Sequence, residues 1–283
     1  METDMSDKEI GLDELKRIQT RLLSSVHEIC EREGLRYSMG GGTLLGAVRH
    51  KGYIPWDDDI DIMMPRPDYD AFIKYATGHD DVPFKVRSYE TDKSYLDLSA
   101  KVYDPSTMLK DDNIFGGEQI DGVGIDVFVI DGLADTYAKA VKAFRATTFK
   151  RALLVAAHWK KFFRSKTHGW YLEPVRFAMF VLSRFVNKRK LYEAIVGKYS
   201  VIDFDAVKYA AAVGGSYRER EILPQEVFTN YIKLPFEGCE FYAIADYDKY
   251  LGSIYGDYMK LPPEDKQVSH HTFTAYYKEQ NEQ

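Results

Sequence analysis

Residues 40–72 read GGGTLLGAVRHKGYIPWDDDIDIMMPRPDYDAF, and the fold is decided by how this stretch is read. Gly40-Gly41-Gly42-Thr43 stands where a short strand over Leu35–Met39 should turn into a helix. Fourteen residues after Thr43 the acids Asp57-Asp58-Asp59-Ile60-Asp61 run straight into the apolar Ile62-Met63-Met64. A helix N-terminus after a glycine turn presents unpaired N–H groups, which suits a phosphate. The turn is not a Walker A loop, because no Gly-Lys-Ser/Thr follows, and it is not GxGxxG, because position 45 is leucine.

In a strand, alternate side chains share a face, so Asp57, Asp59 and Asp61 are expected to point one way. Like charges that close repel, and no fold needs them for stability. A hard divalent cation, Mg²⁺ or Mn²⁺, held by carboxylate oxygens removes the cost. The competing view is a solvated acidic loop, but the acids lead directly into apolar sequence. A calcium EF-hand would need Gly at Ile62 and Glu at Asp68 and has neither. Further on, Gly124-Ile125-Asp126-Val127-Phe128-Val129-Ile130-Asp131 sets Asp126 inside an apolar run, where an unpaired carboxylate is costly. Asp126 is therefore a candidate third metal ligand, or a base beside the metal. Asp131, next to Gly132, is expected to serve a turn or helix cap.

Cations lie between the two elements. Arg49, His50 and Lys51 could offset a pyrophosphate, or they could form an ordinary helix end favoured by the helix dipole, the preferred reading for His50. Trp56 could stack on a base or sugar, or brace the turn after Pro55. Lys101, in LSAKVYDPST, is a lone cation on an expected strand, either a phosphate contact or a solvated residue.

Working outward, Ser6-Asp7-Lys8-Glu9 fits a capping box, and Leu15, Ile18, Leu22, Val26 and Ile29 recur at helical spacing until Gly34 stops the run. A helix from Asp68 to about Tyr75 and strands near 60–64, 84–88, 96–103 and 124–130 complete the amino-terminal part. Helices and strands mix without a strict βαβ rhythm, so the expected class is α+β: a mixed sheet flanked by helices, with a more helical carboxy-terminal part. The expected divisions are a catalytic core over 1–135, a basic and aromatic helical segment over 136–215, and a carboxy-terminal region over 216–283 that packs back on the core.

The 283 residues carry a net charge of −6, which conceals an asymmetry. Between Arg145 and Lys190 stand 12 Lys/Arg and one acid, Glu173, a local +11, which leaves −17 on the remainder. Those basic residues are interleaved with aromatics, as in HWKKFFRSKTHGWYLEPVRFAMFVLSRFVNKRK. The segment reads either as helices placed against an anionic membrane surface or as solvated helices with aromatics turned to the core. Cys30 and Cys239 are too few for a disulfide framework or a zinc ribbon, and METDMSDKEI is charged where a signal peptide would be apolar. A reducing cytoplasm, with peripheral contact on the inner face of a membrane, is the expected compartment. His270 and His271 carry no assignable role.

The run GGTLLGAVRHKGYIPWDDDIDIMMPRPDYDAF resembles the signature of the LicD family. LKRIQTRLL before it, AKVYDPSTML after it and the carboxy-terminal YLGSIYGDYMKLPPEDKQVSHH agree. The resemblance implies the nucleotidyltransferase fold superfamily, with Gly41, Gly42 and Thr43 as the phosphate turn, Asp59 and Asp61 as the paired acids and Asp126 as the third acid. The spacing leaves open whether Asp57 replaces Asp59 in the metal pair. It also implies a CDP-activated alcohol such as CDP-choline as donor, a glycan hydroxyl as acceptor, CMP as product and no nucleic-acid partner; the basic middle segment would suit a lipid-linked form of that acceptor. Three rivals are a DxD glycosyltransferase using Asp59-Ile60-Asp61, a true nucleotidyltransferase releasing pyrophosphate, and a non-catalytic glycan- or membrane-binding module.

Overall fold

The computed structural model describes residues 8–111, 119–163, 169–267 and 273–278. The expected amphipathic helix is α1 (Leu12–Glu33), which buries Leu15, Ile18, Leu22, Val26 and Ile29 along one stripe. Gly34 ends it in the left-handed conformation at φ 66°, and the Leu35 N–H reaches back 2.8 Å to the Cys30 carbonyl. The capping box does not start this helix. Glu9–Ile10 form a short strand, β1, and Gly11 is the N-cap. Pairing with a distant strand wins there over a local cap: Glu9 lies opposite Tyr276 and Ile10 opposite Ala275. Ser6 and Asp7 lie outside the described residues.

After α1 come β2 (Ser38–Met39), α2 (Gly41–His50), β3 (Asp61–Pro65) and α3 (Arg66–Gly78). β4 (Lys85–Arg87), β5 (Ser99–Tyr103), β6 (Thr107–Asp111), β7 (Gln119–Ile120) and β8 (Gly124–Ala134) follow. The middle of the chain is α4 (Tyr137–Arg145), α5 (Thr148–His158), α6 (Glu173–Ser183) and α7 (Lys188–Tyr199). Then come β9 (Tyr209–Ala212), β10 (Leu223–Pro224), the hairpin β11 (Tyr231–Phe236) and β12 (Cys239–Ile244), α8 (Tyr247–Tyr255) and β13 (Phe273–Tyr277), with short 3₁₀ turns between. The class is the expected mixed α+β. The β11–β12 hairpin was not legible beforehand.

The seven-stranded sheet is organised by β8. On one edge β8 pairs in parallel with β3, from Asp61 opposite Asp126 to Pro65 opposite Ile130. Its other edge is shared: β5 takes Gly124–Phe128 and β9 takes Ile130–Ala134, both antiparallel. Only a strand of 11 residues has room for two partners along one edge. β1, β13, β6 and β7 form a separate four-stranded sheet, so the carboxy-terminal β13 lies between two amino-terminal strands. One apolar core joins α1, α2, α3, the main sheet and α8. A second, smaller core gathers Phe144, Leu154, Tyr192, Ile195 and Tyr199 from α4, α5 and α7 against Leu133, Ala211 and Val213.

Two expectations change at this level. Asp57 and Asp59 do not lie on the acidic strand, because β3 begins only at Asp61 and residues 57–60 are an irregular approach to it. Asp131 is neither turn nor cap. β8 continues past it, and its carboxylate takes two hydrogen bonds from the Arg66 guanidinium, at 2.8 and 3.1 Å, both groups buried. This pair ties the first residue of α3 to β8. Removing one member of a buried pair strands the other in a medium that cannot solvate it. Arg66→Ala is expected to cost about 3–5 kcal/mol in chemical denaturation, whereas the double change Arg66→Met with Asp131→Leu should recover most of that loss.

Candidate active site

The site is built where β2, α2 and β3 meet. β2 pairs antiparallel with β3, and the Gly40 N–H continues that ladder by donating to the Asp61 carbonyl at 2.9 Å. Three residues later the Thr43 hydroxyl accepts from the Asp61 N–H at 2.8 Å. Asp61 is thus gripped on both sides of its backbone by the two ends of the glycine turn. Gly41 takes φ 47°, where a side chain would be strained. A Cβ at Gly42 would come within 2.7 Å of an Asp57 carboxylate oxygen, so glycine lets that acid lie against the first turn of α2.

A cavity of about 420 Å³ opens here, within the size range of small-molecule sites. Gly41, Gly42, Arg49, Trp56, Asp57, Asp59 and Asp61 all line it, which brings together most of the residues singled out from the sequence. The odd-numbered acids therefore share a surface although only Asp61 belongs to a strand. The opposite wall comes from residues that sequence reasoning missed, Tyr217, Tyr255, Tyr258 and Lys260. A smaller adjoining cavity of about 60 Å³ shares Gly41, Asp61 and Tyr217 and adds Tyr250 and the buried Glu221. The Gly41 N–H donates to the Tyr250 hydroxyl at 3.3 Å, and the Tyr217 and Tyr255 rings meet edge to face at 5.0 Å. For Tyr250, Tyr255, Tyr258 and Lys260 the signal in the sequence was the carboxy-terminal run YLGSIYGDYMKLPPEDK, which carries part of the family resemblance, whereas Tyr217 and Glu221 lie outside it.

Electrostatics set the acids apart. The Asp57 carboxyl is pushed up to about 7, first by burial and then by the neighbouring Asp59 charge and a hydrogen bond between the two carboxyls. Asp61 is held well above the ordinary carboxylate range by burial, with the charges of Asp59, Asp126 and Asp57 adding and Lys101 opposing. Asp126 is not among the lining residues of either cavity, but its place beside Asp61 turns it to the same face of the sheet, in a cross-sheet row. Asp61 on β3, Asp126 on β8 and Lys101 on β5 stand directly opposite one another, with the Lys101 ammonium 3.6 Å from the Asp126 carboxylate. Asp126 accordingly raises the Lys101 ammonium above its usual value. Lys101 is thus half-buried and partnered by Asp126, and it is not among the lining residues of the cavity.

Other candidates separate as well. Thr43 is buried and serves Asp61, so its hydroxyl is not a lining group. Arg49 lines the cavity while donating to His50 Nε2 at 2.9 Å and to the Tyr258 carbonyl at 2.8 Å. His50 accepts that bond as a neutral ring, its titration lowered by burial and then by Arg49, so the cationic helix-end reading does not hold for it. Lys51 is exposed beyond the end of α2 in the left-handed region, φ 63°, and folds back on the Val48 carbonyl. His270 and His271 lie outside the described residues.

Among the described residues, no group of three or more carboxylate, imidazole or thiol side chains already stands as a set that would hold an ion. The chemistry of the donors fits a hard cation nonetheless, since partly buried carboxylates with raised titration are the groups a dication would stabilise.

Two outcomes follow from this geometry. Thr43→Val leaves the Asp61 N–H without its acceptor and should cost about 1–3 kcal/mol in unfolding free energy, with Thr43→Ser close to wild type. Burial pushes Glu221 up to about 7 from an ordinary 4.5. An acid raised in the folded state contributes stability that is complete below its unfolded value and lost as pH climbs through its folded one. Thermal stability should therefore fall between about pH 4.5 and 7.5, and Glu221→Gln should flatten that slope by up to about 3 kcal/mol.

Comparison with known proteins agrees with this arrangement. Residues 34–94, from the end of α1 through the acids and α3, match the family described as LicD/FKTN/FKRP, nucleotidyltransferase domain. The chain is 30% identical over 271 residues to the lipopolysaccharide cholinephosphotransferase LicD of Haemophilus influenzae, covering 95% of this chain and 99% of that one. Over 34 residues it is 53% identical to the human ribitol 5-phosphate transferase FKRP, covering 12% of this chain and 7% of that protein. With a relative at that identity matched almost end to end, and with the glycine turn and acids inside the matched domain, this chain belongs to the LicD family.

Proposed function

We propose that this protein transfers a phospho-alcohol, phosphocholine in the first instance, from a CDP-activated donor to a hydroxyl of a cell-surface or cell-wall glycan precursor. The bond from the phosphorus of the phospho-alcohol to the bridging oxygen of the diphosphate breaks, and CMP leaves with that oxygen. A new phosphodiester forms at the acceptor oxygen, whose proton passes to a base. The observation that carries this reading is a single cavity lined by Asp57, Asp59 and Asp61 together with Tyr217, Tyr255 and Tyr258, with Asp57 and Asp61 set against the glycine turn of α2. The activities for which two relatives are named, cholinephosphotransferase and ribitol 5-phosphate transferase, support the phospho-alcohol class.

Asp59 and Asp61, with Asp126 as third acid or Asp57 in place of Asp59, would hold Mg²⁺ or Mn²⁺. When bound, that ion would neutralise the diphosphate and the charge growing on departing CMP. Gly41 and Gly42 would let phosphate oxygens approach the first N–H groups of α2, and Arg49 would offset their charge. Asp126, 3.6 Å from the Lys101 ammonium, would be the base that accepts the acceptor's proton. Trp56, Tyr217 and Tyr255 would present ring faces to the cytosine or to a quaternary ammonium. The donor would be drawn from the cytoplasm, and the reaction calls for no nucleic acid.

Purified protein offered CDP-choline, CDP-ribitol and a glycan acceptor with Mg²⁺ should release CMP, and mass spectrometry should find the acceptor heavier by the phospho-alcohol. EDTA should abolish turnover and Mg²⁺ restore it. Asp61→Ala and Asp59→Ala should each reduce CMP release by on the order of a hundredfold or more, the scale of losing one stabiliser of developing charge. Unchanged turnover in a folded variant would overturn the assignment. Release of a nucleoside diphosphate from a nucleotide-sugar would favour the DxD glycosyltransferase instead, and pyrophosphate release a nucleotidyltransferase.

A further inference from the structure

Helix α6 is inside out. Its sequence, EPVRFAMFVLS, contains two charged residues, and both turn inward: Glu173 and Arg176 pair at 2.9 Å with side chains only 16% and 14% exposed. The Arg176 guanidinium lies over the rings of Trp159, Phe162 and Phe163, at 5.0, 5.8 and 5.3 Å. What faces outward is apolar. Val175, Phe177, Val181 and Leu182 are exposed, flanked by Trp170 at 75% and Phe185 at 84% exposure. Ser183 is the only fully buried residue of α6, and neither apolar core draws a residue from this helix. A monomer in water seldom leaves such a continuous face bare, and a face of this kind marks a contact surface.

The face is firmly mounted. Arg184 donates to the Ala156 and Trp159 carbonyls at 2.9 and 2.8 Å, and the Ser183 hydroxyl donates to Ala156 at 3.2 Å, so the end of α6 is tied to the end of α5. Three residues beyond Phe185, α7 opens with Lys188-Arg189-Lys190 and has no acid in its first turn. Cations at a helix N-terminus oppose the helix dipole. An external phosphate there would relieve both the dipole and the cations. Among the described residues none of these three cations has an ion-pair partner in reach, and apolar rings beside exposed cations describe the boundary between acyl chains and anionic headgroups. Spanning is excluded for α6, since 11 residues at 1.5 Å each reach about 16 Å, roughly half a hydrocarbon core.

The geometry points to α6 as an interfacial membrane anchor: Trp170, Phe177, Leu182 and Phe185 enter the acyl boundary of an anionic bilayer while Lys188, Arg189 and Lys190 take lipid phosphates. This goes beyond the transfer reaction and does not depend on it. An acceptor carried on a lipid would then meet the enzyme at the same surface.

Flotation of the full chain with neutral phosphatidylcholine vesicles and with vesicles containing 30% phosphatidylglycerol tests it. The protein should float with the anionic vesicles, and Trp emission should shift to the blue, a shift lost in Trp170→Phe. Phe177→Asp with Phe185→Asp should lower partitioning at least tenfold with an unchanged melting temperature. Lys188→Glu, Arg189→Glu and Lys190→Glu together should erase the preference for anionic over neutral vesicles. The proposal is overturned if the wild-type chain stays unbound on both compositions, or if the double Asp variant and Trp170→Phe both behave as wild type. It is equally overturned if light scattering without lipid shows a stable dimer that the double Asp variant splits, because the face would then belong to a second copy.

Discussion

The structure depends on one small clamp: the backbone of Asp61 held between the Gly40 N–H and the Thr43 hydroxyl. Two ordinary hydrogen bonds, each worth about 1 kcal/mol net, do more than their energy suggests. They fasten the start of the acidic strand to the start of α2, so the carboxylates and the first N–H groups of a helix are forced into one corner. Gly41 and Gly42 are the steric condition for it, one by its left-handed backbone and the other by the space its missing Cβ leaves for Asp57. Folding alone gains nothing by concentrating acids this way. Burial raises the titration of Asp57 and Asp61, and the neighbouring carboxylates raise it further.

Behind the clamp, β8 distributes charge across the sheet. Parallel pairing with β3 sets Asp126 beside Asp61, and antiparallel pairing with β5 sets Lys101 on its other side. The register makes this row, and a slip of one residue would turn Asp126 to the opposite face. Lys101 therefore answers part of the local negative charge from within the fold. Farther along the same strand, Asp131 is answered by Arg66. One long strand thus carries two carboxylates, each with its own cation, one pair close behind the cavity and one deep in the packing between α3 and the sheet.

The middle of the chain obeys a different logic. α4, α5 and α7 close a small core against β8 and β9, whereas α6 rides outside it. Charge is used there to hold the helix from beneath, through Arg176 and its ring of aromatics, while the apolar side chains that normally fill a core remain on the outside. The −6 of the whole molecule is an average over this basic, ring-rich segment and an acidic remainder.

Patterns of short range were legible in the residues themselves. The stripe on α1 and its stop at Gly34, the glycine turn into α2, the order of acids, the mixed class and the charge inversion of residues 145–190 all follow from periods of 3.6 or 2 and from local charge. The family likeness rests on the same contiguous run. Tertiary structure alone decided the rest. Glu9 and Ile10 became a strand because β13 lies beside them. Asp57 and Asp59 share a surface with Asp61 although they precede its strand, Asp131 found Arg66, and Lys101 found Asp126. Tyr217, Glu221, Tyr250 and Tyr255 completed cavities whose first wall lies more than 150 residues earlier. The helical period of α6 marks neither of its faces as inner or outer. The physical reason is common to all of these: backbone periodicity is encoded by neighbours in sequence, whereas burial, ion pairing and the walls of a cavity are properties of groups that only the folded chain brings within a few ångströms.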